Sequence, residues 1–96
     1  MKAVAMVEKK NSPREKHILL ERGYTWVTSF FGKELVKEVS SIEEAKEEIR
    51  FLHSHGFGSS FGAVEKGIFY PGKEAQKKGL VTLEERKEIY IFEEEV

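Results

Sequence analysis

Apolar and polar positions alternate most clearly between Tyr24 and Gly56. Tyr24, Trp26, Thr28 and Phe30 share one face of an extended segment, and Thr25, Val27, Ser29 and Phe31 share the other. Aromatic and β-branched residues suit a pleated, half-buried surface, so 24–31 is predicted as a strand. Gly32-Lys33 supplies a short turn, and Leu35 to Val39 returns as a second strand with Leu35 and Val39 on one face. The period then changes. Ile42, Ala45, Ile49 and Leu52 recur at helical spacing. Ser41 is in N-cap position, Glu44 is placed to complete a capping box, and Gly56 ends the pattern, which predicts a helix over 41–55.

Before this unit, Ala3 to Val7 is an unbroken apolar run, as in a strand buried on both faces. Ser12, Pro13, Glu15 and Gly23 bracket a short helix over 13–22, with a strand over 17–21 as the rival. After it, three glycines between Gly56 and Gly62 predict a flexible loop with Phe57 and Phe61 tucked inside. Ala63-Val64 and Gly67 to Tyr70 look like strand pieces, Pro71-Gly72 like a turn and Lys73 to Lys78 like a short helix. Thr82 caps a further turn through Glu85, and the run Ile89 to Phe92 predicts a closing strand over 87–93. The chain thus reads as one α+β domain over residues 1–96, a small antiparallel or mixed sheet packed by helix 41–55. The order β-α-β-β-α-β would be ferredoxin-like with a C-terminal extension. The alternative is an antiparallel meander with one helix on one face.

Composition narrows the chemistry. The chain is 40% hydrophobic and 34% charged, which is globular rather than disordered. It contains no cysteine, so thiolate chemistry and disulfides are excluded. All 17 acidic residues are glutamate, and Asn11 and Gln76 are the only side-chain amides. That balance is a thermophilic one. No apolar run reaches a membrane-spanning length of about 18 residues, and the one before Glu8 is too short for a signal peptide; we read the protein as cytoplasmic, with no membrane partner.

The net charge of −1 is unevenly spread, with an excess of four negative charges over 82–96. Lys9, Lys10, Arg14 and Lys16 form one cationic segment; Lys66, Lys73, Lys77 and Lys78 form another around the Pro71-Gly72 turn, beside Tyr70. Cations next to an aromatic surface suit single-stranded nucleic acid or another phosphate-bearing ligand, against the simpler reading of a solvated surface paired with glutamates.

The remaining candidates are weaker on spacing. The glycine-rich stretch 56–62 matches neither a P-loop nor a dinucleotide fingerprint. His53 and His55 diverge at a helix end, so no metal or other cofactor is expected. Ser59 or Ser60 with His53 or His55 is a minimal nucleophile–base pair, but the strand–serine–helix elbow is absent. Tyr24, Trp26 and Phe30 are expected in the core under the helix rather than as a stacking face.

The expectation is therefore a non-catalytic binding or regulatory domain using the lysine segments. Its alternatives are a homodimeric interaction domain paired through 87–93, whose apolar residues would otherwise be exposed, and a small enzyme using glutamate and histidine.

Overall fold

The protein is an α+β domain, described over residues 1–96 by a computed structural model. Its elements are β1 (Lys2–Val7), α1 (His17–Arg22), β2 (Thr25–Ser29), β3 (Gly32–Glu38), α2 (Ile42–Ser54), β4 (Gly58–Glu65), β5 (Ile68–Pro71), α3 (Gly72–Lys77) and α4 (Leu83–Glu95). β1 lies between β3 and β4 and is antiparallel to both, while β3 also pairs with β2. β5 folds back antiparallel on β4 and meets β2 in parallel through one bridge, Thr28 to Ile68. The mixed sheet is therefore not left open, as a ferredoxin-like arrangement would have it. β5 carries it round into a closed five-stranded barrel.

Closure gives the domain two hydrophobic clusters. Ala3, Ala5, Val36 and Phe69 fill the barrel, with Val27 and Val64 beside them. The outward rows of β1, β3 and β4 supply Val4, Met6, Leu35, Phe61 and Ala63, which pack under Leu19 of α1, Ala45, Ile49 and Leu52 of α2, Ala75 of α3 and Ile89 of α4. β1 contributes to both, which explains its unbroken apolar run. Its small alanines face the narrow interior while Val4 and Met6 meet the helices.

Local signals set the turns. β2 and β3 are joined through Phe30-Phe31, with Ser29 opposite Gly32, so the turn lies two residues earlier than the glycine suggested. Gly32 has φ 104, the left-handed residue that follows such a turn. Lys66 and Gly67 both have positive φ, 52 and 79, the condition for the tight hairpin joining β4 to β5.

α2 begins as expected, with the Ser41 side chain accepting from the Glu44 N–H at 3.1 Å. The Glu44 carboxylate, however, reaches back to the Ser40 hydroxyl at 2.7 Å rather than closing a box on Ser41. α1 is shorter than 13–22, because Ser12 spends its hydroxyl on the Lys9 N–H and the Gly56 carbonyl instead of capping a helix.

Two expectations are overturned. Residues 87–93 are not a closing strand but the body of α4. Thr82 and Glu85 form a reciprocal capping box, which commits the following glutamates and lysine to a helix, and Ile89 with Phe92 then faces the core. The stretch after Gly56 is likewise not a loop. Gly58 and Gly62 belong to β4 because neighbouring backbone approaches them closely; a Cβ on Gly62 would collide with the Tyr70 carbonyl. Phe57 and Phe61 are buried, as anticipated.

Candidate nucleic-acid interface

The helices cover β1, β4 and the inner part of β3, and α3 also packs on β5, where Tyr70 leans half-buried against the main core; β2 beyond Tyr24 is left without a helix over it. Along the outward row of β2, Tyr24 is 1% exposed just before the strand, whereas Trp26 is 54% exposed. The expectation that Trp26 lies in the core is therefore wrong: the helical layer ends between these two residues. Phe30 and Phe31, at the hairpin tip, are 61% and 86% exposed. Large aromatic side chains left in water on one face are unusual unless they meet something.

The parallel bridge sets the register of this bare face. With Thr28 beside Ile68, Phe30 falls beside Tyr70, and their rings meet edge to face at 5.8 Å between centroids. The Lys78 ammonium lies 4.7 Å from the centre of the Tyr70 ring, a cation–π arrangement, and 3.8 Å from Glu65. Lys66 sits exposed in the hairpin two residues before Ile68, and Lys33 stands opposite Thr28 on β3; neither has an acidic side chain within ion-pair range. On the other flank, Lys16, Trp26, Lys33 and Leu35 line a cavity of about 370 Å³, with Lys16 also paired to Glu8. A second cleft, about 660 Å³, opens where β2 runs beyond its single bridge to β5. Thr25, Trp26, Val27, Glu38 and Val64 line it.

The two lysine segments occupy different places. Val7 pairs with Gly58 at one end of β4, and Glu65, beside Lys78, is at the other. Eight strand residues separate these ends by about 23 Å. Tyr70 and Lys78 meet at the β5 edge of the bare face, and Lys66 is exposed in the hairpin just before β5. Lys16 reaches the opposite flank of that face. Lys10 and Arg14 are exposed in the loop after β1, and Lys77 points outward beside Glu74 at 3.9 Å. Lys73 lies elsewhere, in a small pocket with Ser59, Arg86 and Glu93. The sequence did not reveal Phe30 as the partner of Tyr70, nor Lys33 and Phe31 as exposed residues of the same β2–β3 hairpin. Only the β2–β5 pairing sets Phe30 beside Tyr70, and that pairing rests on a parallel contact between strands far apart in the chain.

Two further polar clusters lie under the helices. Glu48 of α2 is 2% exposed and accepts from Arg22 Nε at 2.8 Å, the Tyr24 hydroxyl at 3.0 Å and Lys37 Nζ at 3.1 Å. Burial alone would raise its carboxyl, but the three donors outweigh it and hold it below the ordinary value. The same burial, with the carboxylate beside it, pushes the Tyr24 phenol strongly up.

The other cluster joins three elements. The Ser59 hydroxyl of β4 donates to Glu93 Oε2 of α4 at 2.9 Å and lies 3.0 Å from His53 Nε2 of α2. Here burial pushes the Glu93 carboxyl up, with Glu94 adding to it and the single Ser59 donor opposing it. Burial and the nearby Lys9 push His53 down. His55 points away and bonds the Phe51 carbonyl at 2.9 Å. No three histidines or acidic residues converge as a metal site.

Compared with known proteins, the chain matches no family model, no curated protein and no solved structure. No helix is long and apolar enough to cross a membrane.

Proposed function

We propose that the protein binds single-stranded nucleic acid across the bare face of its barrel. The observation that carries this reading is the pair of exposed aromatics Trp26 and Phe30, continued by the half-buried Tyr70, with Lys33, Lys66 and Lys78 on the neighbouring strands and turns. Single-strand binders combine rings on which bases stack with cations that follow the backbone, and both are present on one surface here. The net charge of −1 makes the attraction local rather than global, so the strand is held where the lysines are.

The test is a titration of an oligothymidylate of roughly 12 nucleotides, followed by the fluorescence of Trp26, the only tryptophan. Stacking quenches the indole, and binding weakens steeply with salt as counterions are released. Trp26→Ala should weaken binding by about 1–3 kcal/mol. Lys33→Glu with Lys78→Glu should abolish it, while Lys73→Glu with Lys77→Glu should leave it nearly unchanged. Absence of binding by the wild type at low salt refutes the proposal, and loss of binding in the second pair alone moves the site to α3.

A second reading keeps the homodimer but moves it from a strand to a helix. Leu83, Tyr90 and Ile91 of α4 face outward, 43%, 66% and 59% exposed. Lys87 and Glu94, seven residues apart, flank them on the same side. An antiparallel second copy would set each Lys87 against Glu94 of the partner subunit, with Tyr90 and Ile91 packed at the centre. Sedimentation at tens of micromolar decides it: a monomer rules this reading out, and a dimer dispersed by Ile91→Glu supports it.

A further inference from the structure

The cluster of Ser59, Glu93 and His53 plays no part in the nucleic-acid reading, and it departs from what packing alone would place there. Ser59 is on the outward row of β4, opposite Met6 and two residues from the buried Phe61. That row is otherwise apolar under the helices. Here it carries a hydroxyl held between a carboxylate and an imidazole, each from a different helix. Ser59 also lines an open pocket of about 260 Å³ whose other walls include Glu93, Ser60, Gly72, Lys73, Arg86 and Tyr90. A hydroxyl within hydrogen-bond reach of a base, and open to a pocket, is the arrangement of an activated nucleophile.

The proton count assigns the roles. Ser59 has one proton and gives it to Glu93, so the 3.0 Å contact with His53 is made by an Nε2–H donating to the serine oxygen. The base is therefore the glutamate, and the histidine positions the oxygen. This differs from the histidine-as-base arrangement that the sequence alone suggested.

We propose that Ser59 is a catalytic nucleophile for hydrolysis of small esters bearing an anionic group, with Glu93 as its general base. In the first step the serine oxygen forms a bond to the acyl carbon while its proton passes to Glu93 Oε2. The ester C–O bond then breaks, and Glu93 returns the proton to the departing alkoxide, releasing an alcohol. Water repeats the sequence on the acyl-serine: its proton goes to Glu93, its oxygen joins the acyl carbon, and the Ser59 oxygen leaves and is reprotonated by Glu93. Lys73 and Arg86 supply the positive wall against which an anionic substrate group is seated. Arg86 keeps donors for this, since only its Nη1 is committed, to Gln76 at 2.6 Å.

The experiment is covalent labelling of the intact protein with a dialkyl fluorophosphonate, in which the Ser59 oxygen bonds phosphorus and fluoride leaves, followed by peptide mass mapping. An adduct on Ser59, absent in Ser59→Ala and formed about 100-fold or more slowly in Glu93→Gln, is the expected result. The wild type alone supplies a second reading that no folding defect can obscure. Its labelling rate should rise with pH as Glu93 ionises and then level off. The charged groups that face Glu93, namely His53 on α2, Lys73 on α3, and Arg86 and Glu94 on α4, shift that midpoint without removing the plateau. An unlabelled wild type, an adduct on another residue, a rate that climbs with hydroxide without levelling, or a folded Glu93→Gln that labels like wild type would each overturn the proposal. The positive wall is checked by hydrolysis of the mono-4-nitrophenyl ester of succinate. Lys73→Ala should raise KM with little change in kcat, and an unchanged KM removes the anionic group from the substrate assignment.

Discussion

The covered and bare halves of the barrel are built from the same alternating pattern and end in opposite environments. Tyr24 and Trp26 are two residues apart and point the same way. The first is closed off and bonded to Glu48, and the second is in water. What separates them is the reach of the helices, not the strand beneath. On the covered half, polar groups are admitted only when satisfied, as Glu48 is by Arg22, Tyr24 and Lys37. On the bare half, aromatic surface is left unsatisfied and lysines stand beside it. One half is organised for stability and the other, on the proposed function, for contact, so substitutions should cost folding on one side and the proposed binding on the other.

The largest expected effect is on the covered half. Glu48→Ala should destabilise by about 3 kcal/mol in denaturant melts, because two cations and a phenol lose their acceptor; the partial exposure of Arg22 and Lys37 keeps the loss at the low end of what breaking a buried pair costs. The same group gives a pH signature. Its folded pKa lies below the ordinary 4.5, so its stabilisation is present above that pH and is lost as pH falls through the folded value. Glu93 acts with the opposite sign. Its folded pKa is raised, so it favours the fold when protonated, and that advantage is lost as pH rises from 4.5 through the folded value. Acid melts of Glu48→Ala and Glu93→Gln should separate the two slopes.

Ile49→Ala, at a fully buried position on the same helix, should cost roughly 2–5 kcal/mol. A loss under about 1 kcal/mol would mean that the helix face is not packed as described. Gly62→Ala should cost about 1–3 kcal/mol, since the added methyl group meets the Tyr70 backbone and a strand must shift to admit it. The smallest effect sharpens the contrast most. Trp26→Ala should change stability by less than about 0.5 kcal/mol, and the native tryptophan emission should already sit near the solvent-exposed wavelength. A strongly blue-shifted native spectrum would place Trp26 on the covered half and remove the platform.

Much of the covered half was legible in the sequence. The stripe Ile42, Ala45, Ile49 and Leu52 named the buried face of α2, Ser41 marked its start, and the unbroken run in β1 marked a strand between two layers. The errors have physical causes. Ile89 to Phe92 is a compact apolar run, and compactness suggested a strand. In the helix the same four residues are divided, Ile89 and Phe92 inward and Tyr90 and Ile91 outward, and the Thr82–Glu85 box was the signal to follow. Glycines at 58 and 62 read as freedom, whereas they mark crowding. The bare face was illegible for a different reason. Alternation says which residues share a side of a strand, but not how far the covering helices extend along it. Nor can it foresee a parallel contact that sets Phe30 beside Tyr70.

That contact is also where the barrel is weakest. Four of the five strand junctions are antiparallel ladders of three or more residue pairs, and the fifth is the single Thr28–Ile68 bridge. The circle is thus a clasped band with one short clasp, and the proposed platform straddles it, with Trp26 and Phe30 on one lip and Tyr70 on the other. Anything that grips both lips holds the clasp shut. A bound strand would therefore act as a splint on the fold itself, raising the thermal midpoint by mass action and slowing amide exchange at Thr25 to Thr28 and Ile68 to Tyr70 before it slows exchange anywhere under the helices.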